Sequence, residues 1–180
     1  LDRVPLKTAA GAVHPVIMAR IAVLGLGNWG TAIARLWLQD GHSVNGWTIE
    51  DEVYASIMTD DVNEKYLPNR SIKGLEVTMR IEDAIHDAEI VVLAVPSAHI
   101  LDVVESLLPH LRPGHVLLDL AKGLAPGKRL ISEAIEGMLE ANNMSNALAV
   151  LTGPTIAPEA ADGVMTTALV ASSDLSLSLI

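Results

Sequence analysis

The sequence predicts an α/β fold, a doubly wound, mostly parallel sheet with helices on both faces. Three observations carry this. Short apolar runs alternate with amphipathic stretches at roughly 25-residue intervals. The run EIVVLAVP (89–96) is apolar on both parities, as a central strand covered on both faces requires. The stretch GLGNWGTAIARLW (25–37) sets Gly25, Gly27 and Gly30 between an apolar run and a helix-forming run, where the entropic cost of glycine calls for a reason.

Taken in order, RIAVLG (20–25) reads as the first strand, and TAIARLWLQDG (31–41) as a helix whose apolar residues recur at helical spacing and whose end is marked by Gly41. HSVNGWT (42–48) reads as the second strand. EDEVYASIMT (50–59) reads as a helix with acids in its first turn, where they complement the macrodipole. Asp60 and Asp61 are adjacent, point apart, and read as a solvated helix start. NEKYLPNRSIKG (63–74) is a loop, LEVTM (75–79) a short strand and IEDAIHDA (81–88) a short helix. After the strand at 89–96, SAHILDVVESLLPHL (97–111) has Ile100, Val103, Val104, Leu107 and Leu108 at three-four spacing. HVLLDLA (115–121) is a strand, KGLAPGK (122–128) a turn, and RLISEAIEGMLEAN (129–142) a helix. ALAVLTG (147–153) and TTALVASS (166–173) close the chain as strands around PTIAPEAADG (154–163), with antiparallel hairpins nearly absent.

Composition narrows the function. The 180 residues suffice for one domain, or a domain and part of another, and half are hydrophobic. A formal charge of −10 with only 12 Lys and Arg argues against a nucleic-acid binder, which needs a basic face to neutralise phosphates. No cysteine is present, so thiolate catalysis and Cys-type zinc sites are excluded, and the cytosol is the expected compartment. No run of 18 apolar residues suggests a membrane span. Residues 1–17 lack the pattern of a secretory signal and are set aside as an extension of unknown role. The ending SSDLSLSLI (172–180) has no C-cap glycine or polar tail, so residues 18–180 read as one domain cut at its C-terminal end.

The glycines have a physical use in this setting. Gly25 permits the tight turn out of the strand, Gly27 lets backbone approach a diphosphate, and Gly30 lets the helix pack closely. The helix N-terminus then offers unpaired N–H groups and a partial positive charge. A dinucleotide suits this arrangement. At the end of the second strand stand Thr48, Ile49, Glu50 and Asp51, with no arginine beside them in sequence to meet a ribose 2′-phosphate. That tilts the reading towards NAD over NADP, with Glu50 and Asp51 as ribose partners or simply as first-turn helix charges.

Four segments, GLGNWGTAIA, KYLPN, AEIVVLAVPS with AKGL downstream, and LTGPTIAPEAADG, together resemble the amino-terminal half of NAD(P)-dependent glycerol-3-phosphate dehydrogenase over about residues 20–173. The resemblance implies a Rossmann-type domain followed by a helical domain, with hydride transfer between NAD(P)H and dihydroxyacetone phosphate giving glycerol 3-phosphate for phospholipid synthesis. It implies that Gly25, Gly27 and Gly30 form the phosphate turn, that Asn28 and Trp29 touch the cofactor, and that Pro96 and Ser97 line the nicotinamide side. Lys122 matches a lysine shared by cofactor and substrate, Gly153 and Thr155 match substrate contacts, and Ala157 matches a cofactor contact. Ile49 stands where NADP-using members often carry a basic residue. Ile156 replaces a usual aromatic. A homodimer stays open, and the remaining catalytic residues of the family are expected beyond Ile180, so that this chain should bind nucleotide more readily than it turns over substrate.

The chemistry supports Lys122 separately, since reduction of a ketone builds negative charge on oxygen that an ammonium stabilises or protonates. Its plainer reading is an exposed turn lysine. Six histidines form no H-x-x-x-H pair with a carboxylate, so no metal site is expected. His99 reads as a satisfied or solvated histidine, with a cleft-facing place as the alternative. No G-x-S-x-G elbow or P-loop occurs. In YLPN, Tyr66 and Leu67 read equally as core anchors. The rival readings are another two-domain NAD(P)-dependent dehydrogenase, such as one acting on a hydroxy acid, and a non-catalytic nucleotide-binding or redox-sensing module.

Overall fold

The computed structural model describes residues 18–164 and 167–173. The expected extension at 1–17 and the ending at 174–180 lie outside the described residues, as does Thr166 of the last expected strand.

Seven strands form one sheet in the order β3-β2-β1-β4-β5-β8-β9. They are β1 (Arg20–Leu24), β2 (Ser43–Trp47), β3 (Glu76–Thr78), β4 (Ile90–Leu93), β5 (Val116–Asp119), β8 (Leu148–Thr152) and β9 (Leu169–Ser172). The first six run parallel, and β9 runs antiparallel to β8. The strand order reverses at β1, between β2 and β4, which puts a crevice at the carboxyl ends of β1 and β4.

The alternation of side chains along the strands divides the core in two. Ala22, Leu24, Val91, Leu93, Leu117 and Leu148 face α3 (Ile81–Ile85), α4 (Ile100–Leu107) and α5 (Ile131–Ala141). Ile21, Val23, Val44 and Val92 face α1 (Asn28–Gln39) and α2 (Asp51–Asp60). A smaller cluster of Ala32, Leu67 and Ala161 packs α6 (Ala157–Ala161) and the loop after α2 onto α1. Among the described residues no helix is long and apolar enough to cross a membrane.

The differences from expectation have local causes. Asp60 is the last residue of α2 and Asp61 its C-cap in the left-handed region at φ 55°, so the pair ends a helix rather than starting one. Asp61 tolerates that conformation because a short polar side chain pays a small steric penalty there. Helix α1 starts at Asn28, three residues ahead of the sequence reading, because the glycine turn feeds directly into it. Helix α4 stops at Leu107 and passes into a 3-10 turn over Leu108–His110, where Pro109 cannot supply a helical N–H. Within the expected turn, β6 (Leu124–Ala125) pairs antiparallel with β7 (Arg129–Leu130), which takes the first two residues of the expected helix, so α5 begins at Ile131. There Glu133 accepts a bond from the Leu130 N–H at 3.2 Å.

Candidate cofactor site

The crevice is built around the turn leaving β1. Gly25 sits at φ +103°, and its N–H donates to the Trp47 carbonyl at 3.0 Å, tying the turn to the end of β2. A side chain at Gly25 would meet Val95 Cγ1 at 2.8 Å and the Ala94 carbonyl oxygen at 2.9 Å. At Gly30 a Cβ would stand against the Gly25 carbonyl, so this glycine works from beneath the turn and is itself buried. At Gly27, by contrast, nothing lies within 4 Å of the Cβ position. Gly27 is also the N-cap of α1 and contributes no side-chain cap. The first-turn amides therefore receive no side-chain cap from the residue that precedes them.

The turn is braced from behind by polar groups that sequence reasoning passed over. Buried Thr31 donates through Oγ1 to the Leu26 carbonyl at 3.1 Å. Buried Asn63, at the head of the loop after α2, donates through Nδ2 to the same carbonyl at 2.8 Å and to Thr31 Oγ1 at 2.9 Å. A polar residue in a loop gives no sign in sequence that its partner lies 37 positions away.

A cavity of about 730 Å³ opens over this turn, within the size range of cofactor sites. Of the residues singled out in the sequence, its wall brings together Gly25, Gly27, Asn28, Trp29, Ile49, Pro96, Ser97, Lys122, Thr155 and Ala157. Gly30 lies below the wall. Gly153 lies off it, and a Cβ there would come within 2.5 Å of the Thr167 carbonyl oxygen where the chain returns towards β9. The wall also includes Trp47, Glu50, Tyr66, His99 and Leu120. Thus Tyr66 faces the cavity while its neighbour Leu67 is fully buried, and exposed His99 takes the cleft-facing place.

Lys122 is presented by the end of β5. There buried Asp119 accepts from the Ala121 N–H at 2.8 Å, folding the chain so that exposed Lys122 reaches the wall. Burial pushes the Asp119 carboxyl above its ordinary range, partly offset by that bond. Gly123 follows at φ +135° beside Ser97, where a Cβ would approach Ser97 Oγ at 3.3 Å.

Glu50, also on the cavity wall, stands at the N-cap position of α2 without a side-chain cap bond. Its carboxylate accepts from Lys65 Nζ at 2.6 Å and from the Tyr66 hydroxyl at 3.0 Å, and Lys65 also pairs with Glu52. The Lys65 bond holds the Glu50 carboxyl below its usual range, and Lys65 itself is raised by Glu50 and Glu52. The Tyr66 hydroxyl is raised by its bond to Glu50. These residues fit a dinucleotide: an uncapped helix start with a side-chain-free approach at the middle, and polar groups at either end of an apolar slot.

The sequence model described as NAD-dependent glycerol-3-phosphate dehydrogenase N-terminus matches residues 20–178. The chain belongs to that family. A glycerol-3-phosphate dehydrogenase [NAD(P)+] of Koribacter versatilis is 40% identical over 163 residues, 89% of this chain and 48% of the relative. One from Corynebacterium urealyticum is 36% identical over 160 residues, 87% of this chain and 47% of the relative. The crystal structure of glycerol-3-phosphate dehydrogenase from Coxiella burnetii superposes with a TM-score of 0.83 at 28% identity, covering 90% of this chain and 49% of that one. The chain thus spans about half the length of the glycerol-3-phosphate dehydrogenases it matches, over the Rossmann-type, NAD(P)-binding part. A UDP-N-acetylmannosamine dehydrogenase from Pyrococcus horikoshii, at 19% identity and a TM-score of 0.73, shares the fold alone.

Proposed function

We propose that residues 18–180 are the coenzyme-binding domain of a cytoplasmic glycerol-3-phosphate dehydrogenase that interconverts dihydroxyacetone phosphate and sn-glycerol 3-phosphate, a precursor of phospholipids. The observation that carries this reading is the open approach at Gly27 above the uncapped start of α1, in a chain of this family. The diphosphate of the coenzyme is held there by first-turn amides, with Asn28 and Trp29 beside it. The nicotinamide coenzyme, when bound, supplies or accepts the hydride.

The remaining roles follow from position on the wall. Pro96 and Ser97, after β4, line the nicotinamide side, and Thr155 and Ala157 close the slot from the α6 side. Lys122 carries the ammonium that stabilises charge developing on the substrate oxygen and attracts the substrate phosphate. Thr155 is the other substrate contact on this chain. Gly153 serves the substrate side indirectly, by letting the chain pass close to Thr167. NAD is the preferred coenzyme in this reading, since exposed, apolar Ile49 stands where a basic side chain would meet a 2′-phosphate.

The reading is tested by titrating the chain with NADH and following quenching of Trp29 and Trp47, both on the cavity wall. Saturable binding is expected, and its absence from a cooperatively folded sample removes the proposal. For Lys122, dihydroxyacetone phosphate-dependent NADH oxidation by the enzyme should fall about 100-fold or more in Lys122→Met, with NADH affinity changed far less.

A further inference from the structure

The peptide that joins Leu26 to Gly27 is held at its carbonyl by two donors. The Leu26 carbonyl oxygen accepts from Asn63 Nδ2 at 2.8 Å and from Thr31 Oγ1 at 3.1 Å, and both donor residues are fully buried. The Leu26 side chain is confined as well, since it lies over Gly46 of β2, where a Cβ would meet its Cδ1 at 2.8 Å. Leu26 is therefore fixed at its side chain and at its carbonyl.

The direction of each bond follows from the groups involved. The Tyr66 N–H can only donate, and it lies 3.2 Å from Asn63 Oδ1, so the amide oxygen faces the loop and the amide nitrogen faces the turn. Asn63 Nδ2 gives its second hydrogen to Thr31 Oγ1 at 2.9 Å, which leaves the Thr31 hydroxyl hydrogen for the Leu26 carbonyl. At this depth no solvent stands in for a lost member, so the chain of bonds is held more firmly than an exposed one.

A trans peptide is planar and points its C=O and N–H in opposite directions. No cis peptide bond occurs among the described residues. With the Leu26 carbonyl drawn back to Asn63 and Thr31, the Gly27 N–H is turned the other way, to the side on which Gly27 lines the cavity and nothing stands within 4 Å of its Cβ position. Among the described residues that N–H has no acceptor.

We propose that Asn63, working with Thr31, is a positioning residue of the coenzyme site: by fixing the plane of the Leu26–Gly27 peptide it aims the Gly27 N–H at the coenzyme diphosphate. This rests on the reading of the cavity as the coenzyme site and adds to it the device that sets one donor before the ligand arrives. An amide already aimed loses little further freedom on binding, and such preorganisation is read as affinity. Because Asn63 also holds the Tyr66 N–H, the same side chain keeps the Tyr66 part of the wall in register with the turn.

The test measures NADH affinity by tryptophan quenching in variants of the chain and follows the Gly27 amide by nitrogen-proton correlation spectroscopy. Asn63→Ala removes both hydrogens given to the turn and should weaken NADH by about 10-fold or more, the scale of one hydrogen bond to a charged group. Thr31→Val keeps the shape, loses one donor to the Leu26 carbonyl and should weaken NADH by about 3-fold or more. Thr31→Ser keeps the hydroxyl and should bind within about 2-fold of the wild-type chain. Leu139→Ala opens a cavity in the core on the α5 side, lowers stability without touching the turn, and should also bind within about 2-fold. On saturation with NADH the Gly27 amide proton should move downfield in the wild-type and Thr31→Ser chains and less in Thr31→Val and Asn63→Ala. Loss of stability alone produces no such difference in a folded, saturated sample.

NADH affinity within about 2-fold of wild type in folded Thr31→Val overturns the inference, and this variant decides the matter where Asn63→Ala does not fold. Equal weakening in Leu139→Ala overturns it too, since stability would then account for the losses. A Gly27 amide that stays in place while the wild-type chain binds NADH shows the diphosphate lying elsewhere, with the same consequence. Failure of the folded wild-type chain to bind NADH removes instead the coenzyme reading beneath it.

Discussion

The Cβ position of Gly30 lies 1.9 Å from the carbonyl oxygen of Gly25, so the third glycine of the turn is spaced by the first. Both partners are backbone, and Gly30 sits in a helix whose next residues, Thr31 to Ala34, are buried against the sheet. Nothing flexible can give way. Gly30→Ala should cost about 2–3 kcal/mol, in the range of an overpacked core. For a chain of this size that lowers Tm by about 4–12 °C. Thermal denaturation followed by circular dichroism measures it, and an unchanged Tm contradicts the close approach.

Gly27→Ala should behave in the opposite way. Gly27 has φ −73°, a value alanine adopts without strain, and its Cβ position is open. Stability should hold within about 2 °C, the change that follows a fraction of a kcal/mol. The added methyl stands where a diphosphate would approach the amides. Loss of one charge-assisted hydrogen bond weakens NADH by about 10-fold or more. Full affinity in a stable Gly27→Ala chain would place the coenzyme elsewhere.

Periodicity shows which segments are strands and helices because burial follows side-chain direction, and the central strands at 20–24, 90–93 and 116–119 were legible for that reason. Strand direction leaves no such mark, so the reversal of β9 beside β8 was not readable from TTALVASS. The glycine turn was legible because each glycine answers a separate local need, and the structure gives each its own surroundings. Gly153 was expected only as a substrate contact implied by the resemblance, and its close approach to the Thr167 carbonyl left no mark in the residues around it. Likewise Lys65 and Glu50 are 15 residues apart, and only the fold of the intervening helix and loop brings them together. Local chemistry was visible in the sequence; pairings made by the fold were not.

Arg70 and Asp162 form a two-bond ion pair, Nε to Oδ1 and Nη2 to Oδ2 at 2.7 Å each, across 92 residues. Beside it Arg35 donates to the Ala161 carbonyl at 3.2 Å and to the Ser71 carbonyl. Together they tether α6, and with it the Thr155 and Ala157 side of the cavity, to α1 and the loop after α2. The pair is exposed, so its removal should change Tm little. Arg70→Ala should instead raise amide hydrogen exchange across 155–162 about 10-fold, as a tethered segment opens locally more often. Lysine cannot reproduce the fork, so Arg70→Lys should recover only part of the protection. Unchanged exchange in Arg70→Ala would show that the apolar contact of Ala32, Leu67 and Ala161 holds the segment unaided.

Asp119 gives a pH-dependent prediction with a definite sign. Burial raises its carboxyl in the folded chain above the ordinary aspartate range. A group raised on folding binds its proton more tightly in the native state. Its contribution is therefore fully present below the unfolded aspartate range and is lost as pH rises through the folded value. At neutral pH the chain holds a buried carboxylate whose partner is the Ala121 N–H. Asparagine keeps that bond through its carbonyl oxygen without the charge. Asp119→Asn should raise Tm at pH 7 by about 2–4 °C, the response to about 1 kcal/mol in a chain of this length. The gain should close as pH falls through the carboxylate range, where the wild-type side chain becomes neutral as well. His115 is shifted downward by burial and by Arg112, so it destabilises the fold as pH falls, but it does so equally in both chains. The difference between the two melting curves thus isolates Asp119. A gap that widens towards acid would reverse the sign and show that the folded chain prefers the carboxylate.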